Sequence, residues 1–301
     1  MAEREPGFEE IRFAAEDGLE LYARDYGGRA ARAGDVLPLV CLPGLTRNGR
    51  DFHALATLLS ARLERPRRVV TLDYRGRGGS ARDRNARNYA LPVETRDVMA
   101  GLTVLGIDHA AFLGTSRGGL ILMQLAASRA PAVRAAILND VGPVLEGEGL
   151  ALMRSALTRM PRPKDWDEAV ALQKLAHASA FPALRDADWT RMAHAIYREE
   201  KKKLVADHDP AIVAALTAID FSVPLPSLWP LFDGLRRVPL MVLRGENSKL
   251  LSAETLKEMK ARHPDCVAIT VKGQGHAPLP ETGDLPARIE AFLRRAEARR
   301  R

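Results

Sequence analysis

Cysteine is scarce in this chain, with Cys41 and Cys266 the only two among 301 residues. They stand far apart and form no C-x-x-C pair, which argues against both a disulfide framework and a cysteine-based zinc site. No apolar run reaches 18 residues, so no membrane-spanning helix is expected. The opening stretch MAEREPGFEE carries acidic residues where a signal peptide would have a basic start and an apolar core. A reducing, cytoplasmic setting without membrane attachment is therefore the expectation. Aromatics make up only 5% of the chain, and the densest basic runs, Lys201-Lys202-Lys203 and the closing RRAEARRR, lack the interleaved rings that base stacking needs. Despite a formal charge of +7, those runs read as solvated faces and a frayed tail rather than a nucleic-acid surface. No internal repeat or low-complexity linker is evident.

What is present is an alternation of strand-like and helix-like segments. Residues 9–14 and 19–26 are β-like and joined by Glu16-Asp17-Gly18, a hairpin signal. After a Gly/Arg/Ala-rich loop, LPLVCLPG reads as a strand buried on both faces, and 48–63 carries apolar residues at helical spacing. The pattern continues with strands at 68–76, 110–114 and 133–139 and helices at 93–105 and 120–128. From about 144 to 233 the strand signal vanishes, leaving Leu/Ala/Met/Trp helical stretches broken by prolines. It returns with a strand at 238–245, a helix at 253–262, a short strand at 267–271 and a closing helix at 285–295. Such alternation predicts an α/β fold, a mostly parallel doubly wound sheet covered on both faces with an inserted helical cap. The expected division is a core of residues 1–143 and 234–301 and a cap of 144–233.

Within that pattern Gly114-Thr115-Ser116-Arg117-Gly118 matches G-x-S-x-G at a strand-to-helix junction, the setting of a nucleophile elbow. The glycines relieve crowding in a tight turn, and the following helix points its N-terminal N–H groups at Ser116. A serine hydroxyl needs a base to take its proton. His276, in Lys272-Gly273-Gln274-Gly275-His276-Ala277-Pro278 just after the last strand, can swing over the sheet edge that carries Ser116. The other six histidines read as surface or packing residues. One oxyanion donor is expected to be the N–H of Arg117, next to the nucleophile.

Across nearly the whole chain, from LPGL through DYRGRGGS, GTSRGG and LRGENS to GQGH, the sequence resembles the α/β-hydrolase family. The resemblance implies a third member, an acid that orients His276. Most of the family place an aspartate in a G-x-x-D motif, where this chain has Gly245-Glu246-Asn247-Ser248. A serine cannot serve as that acid. A minority of members carry the acid after the sixth strand, where Asp140 stands here, 24 residues beyond Ser116; Asp140 is the preferred assignment and Glu246 the alternative. The resemblance also implies Leu45 N–H as the second oxyanion donor, with Pro43-Gly44 in place of the usual His-Gly, and a bracing role for Asp73.

These residues together predict a cofactor-independent serine hydrolase acting on an ester, lactone, amide or activated C–C bond through an acyl-enzyme. No cofactor or metal is called for. The expected partner is a small carbonyl substrate rather than nucleic acid or membrane, and a homo-oligomer is compatible with the sequence. A weakly catalytic ligand-binding protein on the same fold is the alternative. Two side issues stay open. Arg47, Arg75, Arg77 and Arg117 flank the edge, either as solvated loop residues or as one or two binders of a substrate carboxylate. Met153, Phe181, Trp229 and Phe232 are apolar candidates for lining the pocket or for ordinary packing.

Overall fold

A computed structural model describes residues 7–28, 36–62, 64–217, 219–221, 223 and 225–299. The first six residues, most of the Gly/Arg/Ala-rich loop and the last two arginines lie outside the described residues. Eight strands form one sheet: β1 (Phe8–Ala14), β2 (Glu20–Tyr26), β3 (Leu39–Leu42), β4 (Val69–Asp73), β5 (Ala110–Thr115), β6 (Val133–Asn139), β9 (Leu240–Gly245) and β10 (Cys266–Val271). Their order is β1-β2-β4-β3-β5-β6-β9-β10. The β1–β2 and β2–β4 pairs are antiparallel and every other pair is parallel.

Period-two burial explains the continuous apolar runs. On β3, Leu39 and Cys41 join one core cluster while Val40 and Leu42 join the other; on β5, Ala111 and Leu113 alternate in the same way with Ala110 and Phe112. One face is covered by α1 (His53–Ser60) and α10 (Leu285–Ala298), through Leu55, Leu59, Ile289 and Phe292. The other is covered by α2 (Leu91–Val104), α3 (Arg117–Ser128) and α9 (Ala253–Arg262), through Val98, Leu102, Ile121, Leu125 and Met259. The chain order reverses direction across the sheet between β3 and β5. The carboxyl ends of β3 and β5 lie side by side at this switch point, the place on such a sheet where sites are built.

Between β6 and β9 lie α4 (Gly147–Thr158), α5 (Trp166–His177), α6 (Asp186–Ile196), α7 (Pro210–Thr217) and α8 (Trp229–Asp233). The expectation that this stretch lacks strands is corrected: β7 (Tyr197–Glu200) and β8 (Lys203–Ala206) form an antiparallel hairpin. Its turn residues Lys201 and Lys202 have φ of 50° and 63°, so the basic run is an exposed two-residue turn of the primed kind that matches strand twist. Charged side chains on a short two-stranded ribbon leave little apolar alternation to detect. A second correction concerns the closing basic run. Over its described residues the run is helical and paired: helix α10 continues to Ala298, Arg294 pairs with Glu290, and Arg295 and Arg299 pair with Asp265.

Candidate active site

Ser116 occupies the single residue between β5 and α3, with φ 51° and ψ −115°. A side-chain-bearing residue in that region carries backbone strain of roughly 1–3 kcal/mol, which the surroundings must over-determine. They do so with two backbone bonds: Ser116 N–H donates to Asn139 O at 2.9 Å, and Ser116 O accepts from Gly119 N–H at 2.9 Å. The neighbouring glycines are required by contact. A Cβ on Gly114 would stand 2.5 Å from Gly118 O, one on Gly118 2.0 Å from Leu42 O, and one on Gly119 2.3 Å from Val141 Cγ1.

The loop after β10 brings His276 to this turn from 160 residues away, with Nε2 3.0 Å from Ser116 Oγ. Its Nδ1 lies 2.7 Å from Asp140 Oδ2. A carboxylate only accepts, so the network assigns the proton to Nδ1 and leaves the Nε2 lone pair for the serine hydroxyl. Asn139 pins both sides of the arrangement, donating from Nδ2 to Thr115 Oγ1 at 3.1 Å and to Pro278 O at 2.9 Å.

Asp140 is fully buried, at 0% exposure, and is the first residue after β6, with φ 56°. A buried carboxylate needs donors, and three are supplied. Oδ1 accepts from Gly245 N–H at 2.8 Å, while Oδ2 accepts from Ser248 Oγ–H at 2.6 Å as well as from His276. Ser248 Oγ is held in turn by the N–H groups of Leu250 and Leu251, at 3.1 and 3.3 Å. The serine at the G-x-x-D position therefore donates to the carboxylate that follows the neighbouring strand, β6. Reading Ser248 only as a missing acid overlooks that contact; the signal for it was the strand adjacency of Asp140 and the Gly245–Ser248 turn. Glu246 points elsewhere, exposed and accepting from Gly273 N–H at 2.8 Å.

The backbone N–H groups of Leu45 and Arg117 donate to no other group among the described residues. Arg117 opens α3, where the first N–H groups have no intrahelical acceptor. The Gly44 turn passes close by: a Cβ there would lie 4.0 Å from Ser116 Cβ and 3.2 Å from Arg47 Cγ. Asp73 braces the adjacent loops, taking Gly49 N–H at 2.6 Å and Gly79 N–H at 2.8 Å, and burial pushes its carboxyl up to about 6.

Three of the four flanking arginines fit neither of their expected descriptions. Arg75 is buried and bound to Asp97, Asp83 and Asp17. Arg77 is buried against Glu94 at 2.6 Å, and Arg117 reaches the other oxygen of Glu94 at 2.5 Å. A desolvated guanidinium needs a carboxylate, and no sequence pattern revealed which acid each would find. Arg47 stays half-buried, bridged through Nε and Nη2 to Asp51.

Above the turn, Ala180 and Phe181 press on Gly275, the residue before His276, and Asn247 Nδ2 donates to Ala180 O at 2.9 Å. His177, at the end of α5, is pushed down in pKa by burial and by Arg47 nearby. Phe232 instead packs in the sheet core, and the partly buried Trp229 packs against it edge to face. A cavity of about 540 Å³ adjoins the site, lined by Arg47, Asp51, Met192, Leu279 and Glu281 among others, with Ser116 outside its walls. Both thiols are free and pushed up by burial, Cys266 to about 11. Among the described residues no group of three or more His, Cys, Asp or Glu could hold a metal ion, and no helix is long and apolar enough to cross a membrane.

Comparison with known proteins identifies the family. The model of the alpha/beta hydrolase family matches residues 39–289. The chain is 32% identical over 252 residues to a 3-hydroxybutyrate-oligomer hydrolase of Cupriavidus necator, covering 80% of this chain and 82% of the relative. It is 26% identical over 235 residues to a 2-(acetamidomethylene)succinate hydrolase of Mesorhizobium japonicum, covering 77% and 79%. A crystal structure of an α/β hydrolase from Novosphingobium aromaticivorans is 34% identical, covers 97% of this chain and all of that one, and superposes with a TM-score of 0.86. The family match, the kinship with hydrolases and the mostly parallel eight-stranded sheet agree: this chain belongs to the alpha/beta hydrolase family.

Proposed function

We propose that this protein is a serine hydrolase that cleaves ester bonds in short, carboxylate-bearing hydroxyacid esters. The observation that carries the reading is the unbroken run of hydrogen bonds from Asp140 through His276 to Ser116, at 2.7 and 3.0 Å. In this reading His276 Nε2 takes the hydroxyl proton as Ser116 Oγ attacks the carbonyl carbon. Asp140 holds the imidazole in the Nδ1–H tautomer and stabilises the imidazolium that forms. The tetrahedral oxyanion lies against the N–H groups of Leu45 and Arg117, with the α3 dipole adding to them. Collapse returns the proton from Nε2 to the departing alcohol, and a water, deprotonated by the same nitrogen, releases the acid from the serine.

Ester substrates are favoured by the relative that, by its name, hydrolyses 3-hydroxybutyrate oligomers. Carboxylate-bearing ones are favoured by both curated relatives' names and by Arg47, whose side chain crosses the Gly44 turn beside Ser116. Residues 144–233 serve as the cap, with the end of α5 and the turn that follows it, 177–181, forming the roof. The test is a panel of 3-hydroxybutyrate dimer and trimer, neutral p-nitrophenyl esters and the matching amides, run with wild type and Ser116→Ala. Turnover of the dimer and trimer that vanishes in Ser116→Ala, together with loss of fluorophosphonate labelling, is the expected result. Persistent labelling of Ser116→Ala removes the nucleophile assignment, and hydrolysis confined to the amides removes the substrate class.

A further inference from the structure

We propose that Glu94, a side chain of α2 remote from the reacting atoms in sequence, is the positioning residue that locks both oxyanion donors in place. The inference rests on the assignment of those donors to Leu45 and Arg117. Glu94 is fully buried and gives one oxygen to each of two arginines: Oε1 accepts from Arg77 Nη1 at 2.6 Å, and Oε2 accepts from Arg117 Nε at 2.5 Å. Each arginine continues to one of the donor residues. Arg77 Nε donates to the carbonyl of Leu45 at 2.8 Å, and Arg117 carries the other donor on its own backbone while its Nη2 holds Tyr89 O at 2.9 Å. The loop after β3 and the start of α3 are thus tied to a single carboxylate.

The constraint acts on the right bonds. Arg47 N–H donates to Gly44 O at 3.2 Å, which orients the peptide plane that contains Leu45 N–H. Arg77 fixes the next plane along through its carbonyl, so Leu45 is held on both sides. Two guanidinium groups sharing one carboxylate also leave a net positive charge beneath the place where negative charge develops. Stability alone does not account for the arrangement. Arg77 Nη2 and the nearby Tyr74 hydroxyl are buried without a partner among the described residues, a cost that an apolar packing of similar volume would avoid.

The experiment compares wild type, Glu94→Gln and Arg117→Met in the full chain. The readouts are kcat and KM on a neutral p-nitrophenyl ester, the Kd of an arylboronic acid that forms a tetrahedral adduct, and the thermal midpoint. Glu94→Gln turns one acceptor into a donor facing a guanidinium; Arg117→Met cuts the less deeply buried arm, 14% exposed, while keeping the backbone N–H. The expected result is a fall in kcat of about 10- to 100-fold, the scale of a slightly misplaced donor. KM should stay within about twofold, and boronate affinity should fall in step with kcat. If Glu94→Gln does not fold, Arg117→Met carries the same expectation. A variant with wild-type kcat and a lowered midpoint overturns the proposal, since the cluster is then only structural. So does a raised KM at constant kcat. A Ser116→Ala enzyme that still turns over would instead remove the serine-hydrolase reading itself, whereas a dead Ser116→Ala beside a fully active Arg117→Met sinks the clamp alone.

Discussion

Ser248 donates its hydroxyl proton to the Asp140 carboxylate at 2.6 Å, although 108 residues separate them in the chain. The two lie just past the ends of adjacent parallel strands, β6 and β9: Asp140 supplies the charge that faces His276, and Ser248 supplies a donor that keeps this charge solvated inside the protein. A charge-assisted bond of this type is worth roughly 1.5–3 kcal/mol. Exchanging the two groups should therefore be tolerated in geometry, if not in full efficiency.

Asp140→Asn should lower kcat by on the order of 10³- to 10⁴-fold, because the amide favours the wrong imidazole tautomer. Adding Ser248→Asp to that variant should recover at least about tenfold, since the new carboxylate starts from the atom that already touches Oδ2. Glu246→Gln should change kcat less than about threefold. Steady-state kinetics on one ester decides the matter; a damaging Glu246→Gln beside a mild Asp140→Asn reverses the assignment.

Gly118→Ala should be far more harmful than an ordinary helix substitution, in which alanine is the better residue. Its methyl would lie 2.0 Å from the Leu42 carbonyl, and backbone cannot step aside as a flexible side chain can. A loss of more than about 3 kcal/mol in urea unfolding, or failure to fold, is expected. A variant that unfolds at the wild-type midpoint would show that β3 and α3 are further apart than described.

Arg47→Met should raise KM roughly tenfold or more for esters bearing a carboxylate while leaving kcat/KM for neutral esters within about twofold, as the loss of one charge-assisted contact implies. The backbone N–H of Arg47 that bonds Gly44 O is untouched by the change. Equal effects on charged and neutral substrates would assign Arg47 to loop support through Asp51.

His208 should make the fold sensitive to mild acid. Burial, with Arg77 and Arg82 nearby, lowers its pKa from 6.5 to about 4. In the unfolded chain the imidazole takes a proton near 6.5, while the folded one waits until about 4, so the unfolded state binds more protons in that window and stability falls as pH drops through it. Above 6.5 the group contributes its full share. Between pH 7 and 4.5 the wild type should lose about 2–3 kcal/mol more than His208→Gln in urea unfolding. Parallel pH slopes for the two proteins would refute the shift.

Much of the fold was legible in the linear chain because its signals are local. Apolar runs at β3 and β5, helical spacing in α2 and α9, and three glycines around Ser116 are decided by neighbours within a few residues, and so were their boundaries to within a few positions. His276 was legible for the same reason, as the histidine of a glycine-rich loop just past the last strand. The hairpin of β7 and β8 was missed because its turn depends on two lysines adopting positive φ, which no apolar alternation announces.

What the chain could not declare by itself was the pairing of charge. Asp140 and Glu246 each follow a strand end by one residue, and only the placement of β9 beside β6, with Ser248 turned inward, puts one of them against His276 and the other against Gly273. The arginines tell the same story: Arg75 and Arg77 look like solvated loop residues until Asp97 and Glu94 arrive from α2 to meet them. Sequence determines which segments can become strands, helices and turns, since those choices turn on local sterics and burial. Which buried charge meets which partner is left to the tertiary structure, because burying a charge is tolerable only where a partner from a distant part of the chain is already in place.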